Sequence, residues 1–159
     1  MNDSSEPRKA EGQAADPGKI RVRVRLHSFA ESQRTVSDMP GFLVRKQDCL
    51  YLRYEEPQEA QMGRTMTTMR LTPEEVRIIR HGDVRFEQTF AAGGRHIGYL
   101  DTAHGRMELE AVTHAFGLRL PERGGDLPFE ASWLYELTVM GEAAGRVEVR
   151  LEVRAEEGS

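Results

Sequence analysis

Residues 50–82 impose a period of two on the chain. Leu50, Leu52 and Tyr54 alternate with Tyr51, Arg53 and Glu55, and after a polar connection residues 65–72 and then 75–81 repeat the pattern. A helix needs a period near 3.6, whereas alternate residues of a strand line opposite faces, so the three runs read as a β-meander. The inward set is not wholly apolar. The series begun by Leu50 and Leu52 runs through Tyr54 to Glu56, and that of Val76 and Ile78 runs to Arg80. A carboxylate and a guanidinium are thereby aimed at the interior.

The same alternation extends in both directions. Ile20, Val22, Val24 and Leu26 alternate with Arg21, Arg23, Arg25 and His27 in a half-buried strand whose arginines face water. Met39-Pro40-Gly41 reads as a turn into a strand over residues 42–46, and Gln47-Asp48 turns the chain into the Leu50 run. Pro73, Gly82-Asp83, Gly93-Gly94, Ala103-His104-Gly105 and Gly124-Gly125 separate the strands that follow. In residues 127–139 every odd position is apolar or aromatic, Trp133 and Tyr135 included. A last loop over residues 141–145 precedes a strand in which Val147, Val149, Leu151 and Val153 alternate with charges.

About ten short strands with tight connections predict an all-β antiparallel fold. A helix is conceivable only over residues 30–38. Strand length, together with the opposite charges of the two terminal strands (arginines on the first, Glu148 and Glu152 on the last), favours a closed or nearly closed barrel of about 8–10 strands. Residues 1–19 carry no large apolar anchor after Met1 and are expected to form a disordered arm; residues 20–154 form one barrel domain, and residues 155–159 a disordered tail.

Composition narrows the function classes. A chain of 159 residues makes one domain with enough buried surface to need no staple, and its single cysteine, Cys49, permits no intrachain disulfide. A reduced, cytoplasmic setting is expected. No apolar run approaches the ~20 residues of a membrane-spanning helix. A net charge of −4 gives no global attraction to nucleic acid.

Several ordered motifs recur together: Tyr51-Leu52-Arg53-Tyr54-Glu55-Glu56, Thr67-Thr68-Met69-Arg70, Ile79-Arg80-His81-Gly82, Tyr99 with Thr102 and Gly105, and Tyr135-Glu136-Leu137. In this order they resemble the YwiB-like bacterial β-barrel family, a domain of unknown function with a calycin-like barrel related in shape to lipocalins. The resemblance spans roughly residues 20–154. It implies that fold and a bacterial cytoplasmic setting, and it supplies no activity whose residues could be carried over.

The candidate site is therefore read from chemistry alone. Glu56 and Arg80, set among Tyr54, Thr67, Tyr99 and Tyr135, form an interior polar group suited to a small polar or anionic ligand, with the planar fork of Arg80 orienting it. The same pair would also serve simply to neutralise two charges in the core. Glu55 and Glu56 point to opposite faces and cannot flank one glycosidic bond. The five histidines lack metal-ligand spacing, Cys49 reads as a small buried hydrophobe, and the nucleophile-elbow motif Gly-x-Ser-x-Gly is absent. No catalytic residue, metal or cofactor is expected, and an enzyme is the lesser reading. Nucleic acid is not expected as a partner, because glutamates interleave with the arginine stripe and no exposed aromatic platform accompanies it. A surface that binds protein or RNA is the alternative to the small-molecule reading, and a homodimer through a flat sheet face is left open.

Overall fold

The computed structural model describes residues 18–156. Ten strands follow one another: β1 (Ile20–Ala30), β2 (Gln33–Lys46), β3 (Cys49–Glu55), β4 (Thr65–Leu71), β5 (Glu75–Gly82), β6 (Arg85–Ala91), β7 (Arg95–Thr102), β8 (Gly105–Arg119), β9 (Phe129–Val139) and β10 (Glu142–Ala155). The helical residues among those described are the single 3₁₀ turn Gln58–Ala60 between β3 and β4. Each strand pairs antiparallel with its neighbour in sequence, and β10 pairs with β1, from Val147 opposite Ala30 to Ala155 opposite Val22. The sheet therefore closes on itself, which satisfies the edges that an open meander would expose.

Alternation fills the tube. Val22, Leu43, Leu52, Leu71, Val76 and Leu151 are among the buried side chains of one continuous core, with Phe90, Phe129 and Trp133 adding aromatic bulk. The two ends differ. Where the chain enters and leaves the barrel, the interior is apolar. Inward residues keep partial exposure toward both ends, Phe116 and Leu118 toward the first and Leu26, Phe86, Tyr135 and Val147 toward the other, which carries the β3–β4, β5–β6 and β9–β10 connections and gathers the polar residues.

Several local expectations change. The Met39-Pro40-Gly41 turn does not exist; all three residues lie inside β2, with Pro40 opposite Arg23 of β1. Proline is tolerated because pairing between β2 and β3 begins only at Phe42, so Pro40 withholds its missing N–H from no ladder on that side. Residues 30–38 contain no helix. They form the β1–β2 hairpin, whose two-residue turn Glu31-Ser32 takes positive φ at both positions (49° and 68°). The last loop is also shorter than expected, since Met140-Gly141 alone joins β9 to β10 and residues 142–145 already belong to β10. Ala155 closes β10 instead of starting a tail. The expected disordered arm falls largely outside the described residues, as do residues 157–159; Lys19, at its inner limit, packs its ammonium 4.6 Å from the centre of the Phe42 ring.

The terminal strands do pair, although not through the charges proposed for them. Arg23 and Arg25 both reach Asp38 on β2, at 2.5 and 3.0 Å, and hold its carboxyl below the usual range. Glu152 instead lies 3.3 Å from Arg150 on its own strand and, across the seam, 3.6 Å from the His27 ring on β1.

Candidate functional site

Register builds the interior polar group. Tyr54 on β3 lies opposite Thr67 on β4, Thr67 opposite Arg80 on β5, and Arg80 opposite Phe86 on β6, so four inward side chains form one row across four strands. Glu56 follows two residues after Tyr54 and is kept on the same face because its backbone N–H donates to the Thr65 carbonyl at 2.8 Å, one step beyond the formal end of β3. Thr65 pins the rim: its hydroxyl donates to the Met62 carbonyl at 2.6 Å and accepts from the Val84 N–H at 3.1 Å.

Within the row, the Thr67 hydroxyl donates to Glu56 Oε2 at 2.5 Å. Arg80 Nε donates to both Glu56 Oε2 (3.3 Å) and Thr67 Oγ1 (3.2 Å). The guanidinium lies 4.7 Å from the centre of the Phe86 ring, an arrangement that favours a cation over a π face. The side chains of Glu56 and Arg80 are only 7% and 16% exposed, so the pair is an interior one. The hydrogen bonds that Arg80 makes to Glu56 and Thr67 all use Nε, and the guanidinium also interacts with the Tyr54 hydroxyl. The Tyr54 hydroxyl, also buried, makes no hydrogen bond of full geometry but lies close enough to Arg80 and Thr67 for both to act on it. Burial, and then the charge of Glu56, raise its pKa above the ordinary tyrosine value, against the opposing influence of Arg80. Tyr135 on β9 is raised by burial too, and the opposing charge of Arg80 brings β9 into the same group; its ring packs 4.3 Å from that of Phe90.

Five of the six residues picked from the sequence, Tyr54, Glu56, Thr67, Arg80 and Tyr135, thus share the interior. Tyr99 does not. It stands on the outer face of β7, its hydroxyl 3.5 Å from Glu87 and its ring under the Arg106 guanidinium at 4.1 Å. The inward position is taken by Gly98, where a Cβ would come within 2.2 Å of the Glu87 carbonyl. Space is short there because only residues 85–87 of β6 pair with β7, after which the Gln88 side chain bridges the seam, its amide donating to the His96 carbonyl at 3.1 Å. Phe86 was not singled out from the sequence, although it shares the even-numbered face of β6 with Gln88 and Phe90. Among the described residues no three His, Cys, Asp or Glu side chains converge as metal ligands. His96 and His114 do not share a face: His96 is half-buried, whereas His114 is exposed, 3.4 Å from Glu136.

A closed ten-stranded antiparallel barrel carrying a buried ion pair and hydroxyl groups at one end of its lumen is the class of protein that these features define. Residues 20–151 match the family described as a domain of unknown function, DUF1934, and the chain belongs to that family. It is similar to the uncharacterized beta-barrel protein YwiB of Bacillus subtilis (strain 168), with 32% identity over 85 residues. That match spans 54% of this chain and 58% of the relative's length. The crystal structure of the ywiB protein from Bacillus subtilis superimposes with a TM-score of 0.76, covering 91% of this chain and 98% of that one at 20% identity, a likeness of fold.

Proposed function

We propose that the protein is a calycin-like binding module that takes one small polar or anionic molecule at the polar end of its barrel. The observation that carries this reading is the Arg80 guanidinium, fixed through Nε by Glu56 and Thr67 and stacked on the Phe86 ring, with the Tyr54 hydroxyl beside it and no carboxylate on its terminal amino groups. A guanidinium fixed through Nε presents its remaining N–H groups as a fork, which suits a carboxylate or phosphate oxygen. The Tyr54 hydroxyl, which stands close to Arg80 and Thr67, supplies a further donor beside it. Partly exposed Leu26, Phe86, Tyr135 and Val147 give the approach an apolar wall. Glu56 cancels the charge of Arg80, so recognition would rest on hydrogen-bond geometry more than on net attraction.

Native mass spectrometry of the protein released gently from cells tests this. A low-mass species retained by the wild-type protein and lost from folded Arg80→Lys and Tyr54→Phe variants is the expected result. No retained species, or one retained equally by all three, overturns the reading.

A further inference from the structure

The outside of the barrel carries a recess of about 570 Å³ over β2, β3 and β4. Its floor is made by Phe42, Tyr51 and Met66, all outward residues of their strands, and Phe42 is 39% exposed. Lys19, Lys46 and Arg53 stand around it, and Arg21 lies directly opposite Phe42 on β1. Among the described residues none of these four cations has a carboxylate partner, and Glu55 is the one acid lining the recess. Elsewhere on the surface the pattern is mixed: Arg23, Arg25, Arg45 and Arg77 each reach a carboxylate, whereas among the described residues Arg34, Arg119, Arg146 and Arg154 do not. What sets the recess apart is that its cations, opposed by Glu55 alone, stand beside an aromatic floor on a chain of net charge −4.

Cations along a groove serve phosphates, and exposed rings on a sheet serve the faces of unstacked bases. We propose that this recess binds single-stranded nucleic acid, with one base stacked on Tyr51, a second replacing the Lys19 ammonium that lies 4.6 Å over the Phe42 ring, and the backbone passing the displaced Lys19, Arg21, Lys46 and Arg53. An aromatic floor gives a bare phosphate or an acidic peptide nothing to match it, and a gently curved sheet offers no helix or ribbon to enter a duplex groove. The arginine stripe of the first strand, read from the sequence as lacking an aromatic platform, acquires one only when closure of β1 on β2 sets Phe42 beside Arg21.

Fluorescence anisotropy of the full chain with a labelled oligothymidylate tests this, alongside the matching duplex and a polyglutamate of equal length. Single strand should bind tightest. Its log affinity should fall against log salt with a slope of roughly 0.7 for each phosphate neutralised, between about 50 and 200 mM. Phe42→Ala should weaken binding about tenfold without changing that slope. Arg53→Gln should lower the slope by about 0.7. Ile97→Ala, on another face, should do neither, and the Trp133 emission spectrum confirms that each variant is folded. No binding at low salt, equal binding of duplex or polyglutamate, or indifference to Phe42→Ala in a folded variant would each overturn the proposal.

Discussion

Replacing Arg80 by methionine removes the guanidinium while leaving most of the aliphatic stem to cover Phe86. Glu56, with its side chain only 7% exposed, then retains the Thr67 hydroxyl as its sole side-chain partner. Removing one member of a buried ion pair costs about 3–5 kcal/mol, because the other charge is left desolvated. Two features reduce that figure here. The Thr67 donor survives, and the 16% exposure of Arg80 shows that water already reaches this end of the lumen. The expected loss is therefore about 2–4 kcal/mol, or roughly 4–16 °C in Tm for a domain of this size. Trp133, the only tryptophan, is buried at 2% exposure and reports unfolding directly through its emission in a urea titration. An unchanged m-value would assign the loss to stability and not to altered compactness. Adding Glu56→Gln to Arg80→Met should restore a large part of the loss, since the uncompensated charge is gone. A loss under about 0.5 kcal/mol, the ordinary range for a surface position, would refute the buried-pair account.

Four further outcomes follow from neighbouring residues. Thr67→Val removes a donor to Glu56 and an acceptor for Arg80 and should cost about 1–3 kcal/mol in the same titration, while Tyr54→Phe, which deletes a buried hydroxyl in no hydrogen bond of full geometry, should cost less, about 0.5–1 kcal/mol at neutral pH. Because Tyr54 and Tyr135 are raised above the ordinary value of 10, the folded barrel keeps protons there that the unfolded chain releases, so their contribution is complete below about pH 10 and is lost as pH rises beyond it. Urea midpoints measured across that range should fall with pH, and less steeply for Tyr54→Phe. Gly98→Ala should destabilise by at least about 1–3 kcal/mol, because a Cβ there meets the Glu87 carbonyl at 2.2 Å and the Gln88 amide oxygen at 2.4 Å; a urea midpoint equal to wild type would show that the seam between β6 and β7 gives way easily.

The ladder of strands was legible because nearly every run alternates cleanly, and a meander with short turns leaves little choice of neighbours. Alternation says which residues share a face, but it says which face is inward only when one face is plainly polar. In β3 it is, and Tyr54 and Glu56 fell where expected; Arg80 followed Val76 and Ile78, and Thr67, on a strand with two mixed faces, is placed by its register between Tyr54 and Arg80. In β7 it is not: Ile97 and Tyr99 compete with Gly98 and Leu100, and the interior goes to the smaller set because Gln88 leaves no room beside Gly98. Ile97 is 60% exposed as a result. Pro40-Gly41 misled for another reason. A turn signal is local, whereas the tolerance of proline in β2 depends on where β3 stops pairing, which no local pattern records. The same holds for Asp38, whose position between Arg23 and Arg25 follows from the register of β1 on β2.

That register also decides whether the two proposed sites are independent. On β3 the alternation sends Tyr54 and, just beyond it, Glu56 into the lumen, while Tyr51, Arg53 and Glu55 face the outer recess. The two sites are thus the opposite faces of one short strand, separated by a single layer of backbone. Closure on both sides, by β2 and β4, resists the sliding or rotation that would couple them, because a one-residue slip would exchange the two faces along the whole strand. Occupancy inside should therefore leave the outer recess unchanged. Arg80→Lys ought to abolish retention of a lumen ligand yet bind oligothymidylate as the wild type does, and Phe42→Ala ought to show the reverse. A single substitution that abolished both in a folded barrel would mean that the strand shifts as a unit, and that the two faces cannot be treated as separate sites.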